Sequence, residues 1–417
     1  MFHTLIKRLA RYGAVFSLLI ACVVAVLFWG LTLIRVARLF IARAAALSNI
    51  APLPSATWCQ NGQIDFSIFW SAGRLAATHN YTTLYDHAAF AAWRAHHLCA
   101  VADPVDWIYL PPALLPSALI AYFTPQTGLL IWAAICILAS ALVLRLADLS
   151  GAVITLGLIS PAALHGAELC QVSTITGALL VAGLFMAPKK PAYAGILISL
   201  LTFKPQEGLL APIALAAQHN FRAILVAASG VMGLIALTTT LFGWQVWEIY
   251  WDLGRKVAAA TLAGSQQGYQ YVGVSVFWMA RSAGATLPVA YAVQATSAIL
   301  SAILAWVIWR RPGLTPTDRV AITVFLSLLA TPYGFTDDMA AFSIMLACLA
   351  EQRRWKVDTL DVIFWSWPLF CAIITINIGI LLTPFIIAAA IARTWLRAER
   401  AATLTTTKPA PPPVADA

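Results

Sequence analysis

Charge is the scarcest property of this chain. Only 10% of its 417 residues are Asp, Glu, Lys or Arg, while 61% are hydrophobic. Soluble domains carry about 25% charged residues. A mean hydropathy of +0.82 therefore excludes a soluble globular enzyme, and equally a disordered or fibrous chain, and marks an integral membrane protein. Acidic residues are the rarer sign, 17 against 26 Lys and Arg, for a formal charge of +9. No basic stretch interleaves with aromatics, so the excess reads as cytoplasmic helix ends and no nucleic-acid partner is expected. The seven cysteines show no CxxC spacing, which removes a zinc or dithiol framework. Cys22, Cys136, Cys348 and Cys371 lie in apolar runs, where a thiol packs as a small hydrophobe. Cys59 and Cys99 share the first long polar stretch and are expected to pair as a disulfide, with two free thiols as the alternative. Walker, HExxH, GxSxG and glycine-rich nucleotide motifs are all missing. Cytoplasmic nucleotide-sugar chemistry thus has no visible support, and no cofactor or metal is expected. There is no internal repeat of the kind that marks many secondary transporters.

What remains is a series of apolar runs. The run 13–34 is too long for a signal-peptide core and reads as a retained anchor helix. Further runs cover about 110–124, 126–147, 150–166, 171–188, 191–203, 206–218, 222–243, 286–309, 318–332, 338–350, 360–377 and 380–393. Placing Lys189–Lys190, Arg310–Arg311, Arg353–Arg354 and Arg393, Arg397 and Arg400 in the cytoplasm works only if one run fails to cross. Run 110–124, interrupted by Pro111, Pro112 and Pro116, is the weakest and reads as re-entrant or interfacial. The expectation is an all-α polytopic membrane protein with about twelve transmembrane helices in a single domain over 1–400. Stretches 35–109 and 244–285 form extracytoplasmic loops with amphipathic juxtamembrane helices at 66–79 and 87–99, and 401–417 is a disordered cytoplasmic tail. The runs 191–203 and 206–218 are short enough to form a hairpin. Arg35, Arg38 and Arg43 fall outside and stand as an exception to the charge rule. Polar clusters between runs, from Asp65 to Asp106, His165 to Gln171, Lys204 to Gln206, 244–285 and Thr331 to Asp338, all land on the outer face, so the chemistry faces outward.

Several residues there invite two readings. Asp65, in QIDFSIFWSAGRLAA, suits a helix N-cap or a general base for an acceptor hydroxyl. Lys204, in TFKPQEG, suits a lysine snorkelling beside Glu207 or a cation for a lipid-borne phosphate. Asp337 and Asp338 suit a helix cap, or the orientation of a hydroxyl or cation. Gln171 can cap its span or hydrogen-bond a sugar. Arg255, Lys256 and Arg281 share a loop with Trp244, Trp247, Tyr250 and Trp251, a composition fitting an interfacial anchor helix or a substrate platform.

Taken in order, these motifs resemble glycosyltransferase family 87, a group of polytopic GT-C enzymes. The matching pieces are Asp65-Phe66, Leu84-Tyr85-Asp86, Ile108-Tyr109-Leu110-Pro111-Pro112, Cys170-Gln171-Val172, Phe203-Lys204-Pro205-Gln206 and Thr331-Pro332-Tyr333 followed by Asp338. They span roughly residues 60–350. Cys170 stands where the family commonly has glycine, and Asp337 where a histidine or aromatic residue often precedes the last aspartate. The resemblance implies a GT-C-type helical bundle in a bacterial inner membrane, with the active site extracytoplasmic. It also implies inverting transfer of a sugar, mannose by expectation, from a polyprenyl-phosphate donor to a hydroxyl of a lipid or glycan acceptor. Asp65 would be the base. Lys204, Gln206, Gln171, Tyr85, Tyr109, Arg255, Lys256, Asp337 and Asp338 would bind donor phosphate or substrate, among membrane lipids. The rival classes are a lipid-linked-sugar flippase and a surface-glycan polymerase or ligase.

Overall fold

The computed structural model describes residues 2–48, 64–98, 105–264 and 269–406. Apart from one isolated bridge between Gly273 and Phe335, the described residues form helices and their connections. That outcome follows from solvent: a run surrounded by hydrocarbon must satisfy its backbone internally.

Each apolar run contains a helix, yet far fewer than twelve are full-length crossings. Among the described residues, five helical segments are long and apolar enough to cross a membrane: Gly13–Arg38, Pro125–Leu146, Phe221–Phe242, Leu287–Arg310 and Thr359–Ile378. A sixth exists if Gly151–Leu158 and Pro161–Leu169, bent by 51°, count as one span. The expected count of about twelve is thus not met by helix length, for two physical reasons. A proline inside a run breaks the ladder, as Pro161 does, and the Trp29 indole donates to the Ile159 carbonyl at that break (2.6 Å). The second reason lies at the centre of the bundle. Helices Ser173–Met186, Pro316–Ala330 and Ala340–Gln352 have 14, 15 and 13 residues, about 20 Å against a hydrocarbon core of ~30 Å. They are buried along most of their length, and each has one end at a polar cluster rather than at a membrane surface. Residues 110–124 form a 3-10 turn, Pro111–Ala113, and a short helix, Leu114–Ile120, which is too short to cross.

Both polar stretches fold onto these helix ends. In the first, Asn80 caps Tyr81–Tyr85 and Asp86 caps His87–His97 through the Ala89 amide (2.8 Å). These helices and Ile64–Ala77 bury Phe66, Phe69, Leu75, Tyr85, Phe90 and Trp107 in a cluster that also takes in Leu129 and Trp132 of Pro125–Leu146. Ile64–Ala77 sits so close to Leu114–Ile120 that a Cβ on Gly73 would lie 2.0 Å from the Ser117 carbonyl oxygen, so only glycine permits the contact. The second stretch runs through Gln245–Ile249, Tyr250–Gly254 and Arg255–Ala263, with Trp244 and Trp251 exposed. It is tied to the turn 331–338 by Tyr333 Oη donating to the Ala258 carbonyl (3.0 Å), Thr336 Oγ1 to that of Val272 (2.9 Å) and Val274 N to that of Gly334 (3.0 Å).

Arg35, the exception to the charge rule, pairs with Glu168 at the end of Pro161–Leu169 (2.6 Å). The last helix, Thr383–Thr406, continues beyond residue 400. Cys59 and Cys99 lie outside the described residues.

Candidate active site

Asp65 lies in the first turn of Ile64–Ala77, where the helix N-terminus favours a carboxylate. Its Oδ2 accepts from Gln171 Nε2 (2.9 Å), and Tyr109 Oη donates to Gln171 Oε1 (3.3 Å). The tyrosine proton fixes the amide orientation: with its oxygen occupied, Gln171 must turn its NH₂ to Asp65. Tyr109 is held in turn by an aromatic group, with Phe69 4.9 Å and Trp107 5.0 Å from its ring centre. Tyr85 is buried behind it and donates to the Tyr109 carbonyl (3.2 Å).

The position of Gln171 comes from a helix ending. Pro161–Leu169 closes with Cys170 N bonded to the Ala167 carbonyl (3.2 Å) and Gln171 N to that of Gly166 (2.9 Å), a Schellman closure. The closure requires a left-handed residue, and Cys170 has φ 60° and ψ 37°. Trp132 Nε1 donates to its carbonyl (3.0 Å). An L-residue there costs roughly 1–2 kcal/mol relative to glycine. Cys170→Gly is accordingly expected to keep both activity and melting temperature close to wild type, relief of strain offsetting the lost thiol contacts. Cys170→Val, branched at Cβ, should lower the melting temperature and displace Gln171, with activity falling in parallel. Equal behaviour of the two variants would show that the closure does not position the site.

Beyond Gln171 lies a buried ionic cluster. Lys204 Nζ donates to Ser173 Oγ (2.7 Å) and to Asp338 Oδ1, and lies 3.4 Å from Asp337 Oδ2 and 3.6 Å from Glu207 Oε1. Ser173 also reaches Asp337 Oδ2 and, at 2.9 Å, Asp338 Oδ1. Thr176 Oγ1 donates to Glu207 Oε1 (2.7 Å), and Phe335 N to Asp338 Oδ2 (2.9 Å). Asp338 therefore closes its own 3-10 turn and also faces the lysine. All four ionic side chains are more than nine-tenths buried, so a single ammonium faces three carboxylates. A small cavity beside them is lined by Gln206, Glu207, Ser327, Thr331 and Asp338 among others.

Asp65 remains partly open, but the protein around it strips away enough water to push its pKa up to about 6, against the Gln171 hydrogen bond. Asp337 adds to the rise; Lys204 and His165 oppose it.

The sequence-derived candidates thus divide. Asp65, Tyr109, Gln171, Lys204, Asp337 and Asp338 come together, with Gln206 at the cavity beside the cluster and Tyr85 supporting from behind. Arg255 and Lys256 are exposed, and Arg255 is engaged with Trp251, 4.8 Å above its ring and bonded to its carbonyl. Arg281 bonds the Ala285 carbonyl (3.0 Å). Residues that sequence reasoning passed over are Ser173, Thr176 and Arg94, a buried arginine treated below, while the sequence places His165 only in an outward polar cluster. Ser173 and Thr176 follow Gln171 at the start of a helix, a position that was the available signal. Among the described residues no three His, Cys, Asp or Glu side chains are grouped as metal ligands.

The family model for glycosyltransferase family 87 matches residues 107–332. The match takes in Tyr109, Gln171 and Lys204, while Asp65, Asp337 and Asp338 lie outside it and join through the contacts above. No curated protein and no solved structure matches the chain.

Proposed function

The chain belongs to glycosyltransferase family 87, and from that premise we propose that it moves a sugar, mannose by expectation, from a polyprenyl phosphate to a hydroxyl of a lipid or glycan on the extracytoplasmic face of the bacterial inner membrane. The observation that carries this reading is Asp65: partly open, oriented by Gln171, and desolvated to a pKa near that of an effective base at neutral pH.

In the proposed step the acceptor O–H proton goes to Asp65 while the acceptor oxygen bonds to the anomeric carbon. The bond from that carbon to the phosphate oxygen breaks on the opposite face, and its electron pair leaves with the lipid phosphate. A phosphate is a weak base, so its departure needs positive charge rather than a general acid. Lys204 is poorly placed to supply this charge, because Ser173 and three carboxylates already surround its ammonium. Lys256, exposed two residues after Gly254, whose backbone packs closely on Tyr85, fits better as the phosphate-facing cation, with Arg255 next to it. Lys204 then organises the carboxylates around the site.

Purified protein offered polyprenyl-phosphate mannose or a diphosphate-linked oligosaccharide decides between this and the rival classes. Transfer from the monophosphate supports the proposal. Transfer only from the diphosphate would favour a polymerase or ligase, and movement of a labelled lipid across vesicles without transfer would favour a flippase.

A further inference from the structure

Arg94 is the most deeply buried arginine beside the site. It is 2% exposed, on the amphipathic helix His87–His97. Burial of a guanidinium is costly unless it is bonded and does work for the fold. Its Nη2 donates to Ser67 Oγ (2.8 Å) and its Nη1 to the Val105 carbonyl (2.8 Å), and the guanidinium carbon lies 5.4 Å from the Phe90 ring centre. Ser67 is two residues beyond Asp65 on the same helix. Val105 lies four residues before Tyr109. Arg94 therefore joins the two elements whose side chains, Asp65 and Tyr109, both bond Gln171.

The charge has a second consequence. Among the described residues Arg94 has no direct ion-pair partner, and the carboxylates that feel it are Asp65 and Asp106. Asp106 is already engaged by His87 (2.7 Å). Burial lowers the guanidinium to about 10, so it is still protonated at neutral pH.

We infer that Arg94 is a positioning residue for the reaction: it clamps the Asp65 helix to the Tyr109 segment, and its buried charge helps keep Asp65 ionised. The inference rests on the reading of Asp65 as the base. The other groups that act on Asp65 are Gln171 by hydrogen bond and Asp337, Lys204 and His165 by charge, each from a different element. Arg94→Met removes both clamp and charge, whereas Ser67→Ala loosens the clamp and keeps the charge, so the two effects are read separately.

The test is a pH–rate profile of the full-length protein with polyprenyl-phosphate mannose as the donor. Arg94→Met is expected to lower kcat and to move the acid limb upward, since an opposite charge has been removed. Arg94→Lys should return the limb towards wild type while kcat stays reduced, because an ammonium restores charge but not the two-pronged bond. Ser67→Ala should reduce kcat and leave the limb unmoved. A folded Arg94→Met protein with an unmoved limb overturns the charge role. Should Arg94→Met not fold, the clamp is read from the other two variants: unchanged kcat in both overturns it. Asp65→Asn, run in parallel, separates the failures. An active Asp65→Asn protein removes the base reading itself, whereas an inactive one beside an unmoved Arg94→Met limb removes only this inference.

Discussion

Asp65→Asn is expected to lower the transfer rate by about 10²–10⁴, the usual loss when a general base is removed. The amide keeps a carbonyl oxygen for Gln171 Nε2, which now bonds Asp65 Oδ2 at 2.9 Å, so the geometry survives while the proton acceptor is lost. The same carboxylate sets the acid limb of the wild-type profile. The base works only when ionised, so activity is lost as pH falls through about 6 and is flat above it until another group titrates. The linkage to stability has the opposite sense. Asp65 binds its proton more tightly folded than unfolded, with its pKa raised from 3.8 to about 6. Stability therefore falls as pH rises through that window. At neutral pH the wild type carries an ionised, desolvated carboxylate that the asparagine variant lacks, and Asp65→Asn should melt no lower than wild type. Activity within about tenfold of wild type in a well-folded variant would remove Asp65 from the base role.

Lys204→Ala should fail in a different way, through the fold. Among the described residues its ammonium is the one cation within ion-pair range of Asp337, Asp338 and Glu207, and all are more than nine-tenths buried. Removing one partner of a buried ionic group costs about 3–5 kcal/mol, because the charges left behind are uncompensated. The expected result is a large drop in melting temperature in detergent, or loss of monodisperse protein. Adding Asp338→Asn should recover part of the loss, by roughly 1 kcal/mol or more if the pair is coupled. An asparagine oxygen can still accept from Phe335 N, so the turn need not open. A Lys204→Ala protein that melts normally and differs only in donor affinity would contradict this and restore Lys204 as a phosphate ligand.

The two predictions show how differently the sequence spoke about two charged residues. For Asp65 the place at a helix entry allowed a cap or a base and the family motif pointed to the base, and the fold added the partner Gln171 and the desolvation. For Lys204 the sequence could show only a cation between apolar runs with Glu207 three residues on. Asp337 and Asp338 lie more than 130 residues away, and nothing local announces that a chain will bring them to the same ammonium.

Composition and the length of the continuous apolar runs determined, without help, that this is a helical membrane protein, because such runs satisfy their backbone in hydrocarbon as helices, whereas barrel strands are short and alternate in polarity. The motifs in their order determined the family, and the proline-broken run at 110–124 announced a segment too short to cross. Tertiary structure decided the rest. It decided which runs are straight, since a run such as 150–166 is apolar throughout whether or not Pro161 bends it. It decided that Cys170 must be left-handed to deliver Gln171. It also decided that Ser173 meets the ionic cluster and that Arg94 ties the Asp65 helix to the segment before Tyr109. Apolar burial acts on every residue of a run alike and is legible one residue at a time. A polar side chain acquires its role from partners that only the packed helices bring within hydrogen-bonding range.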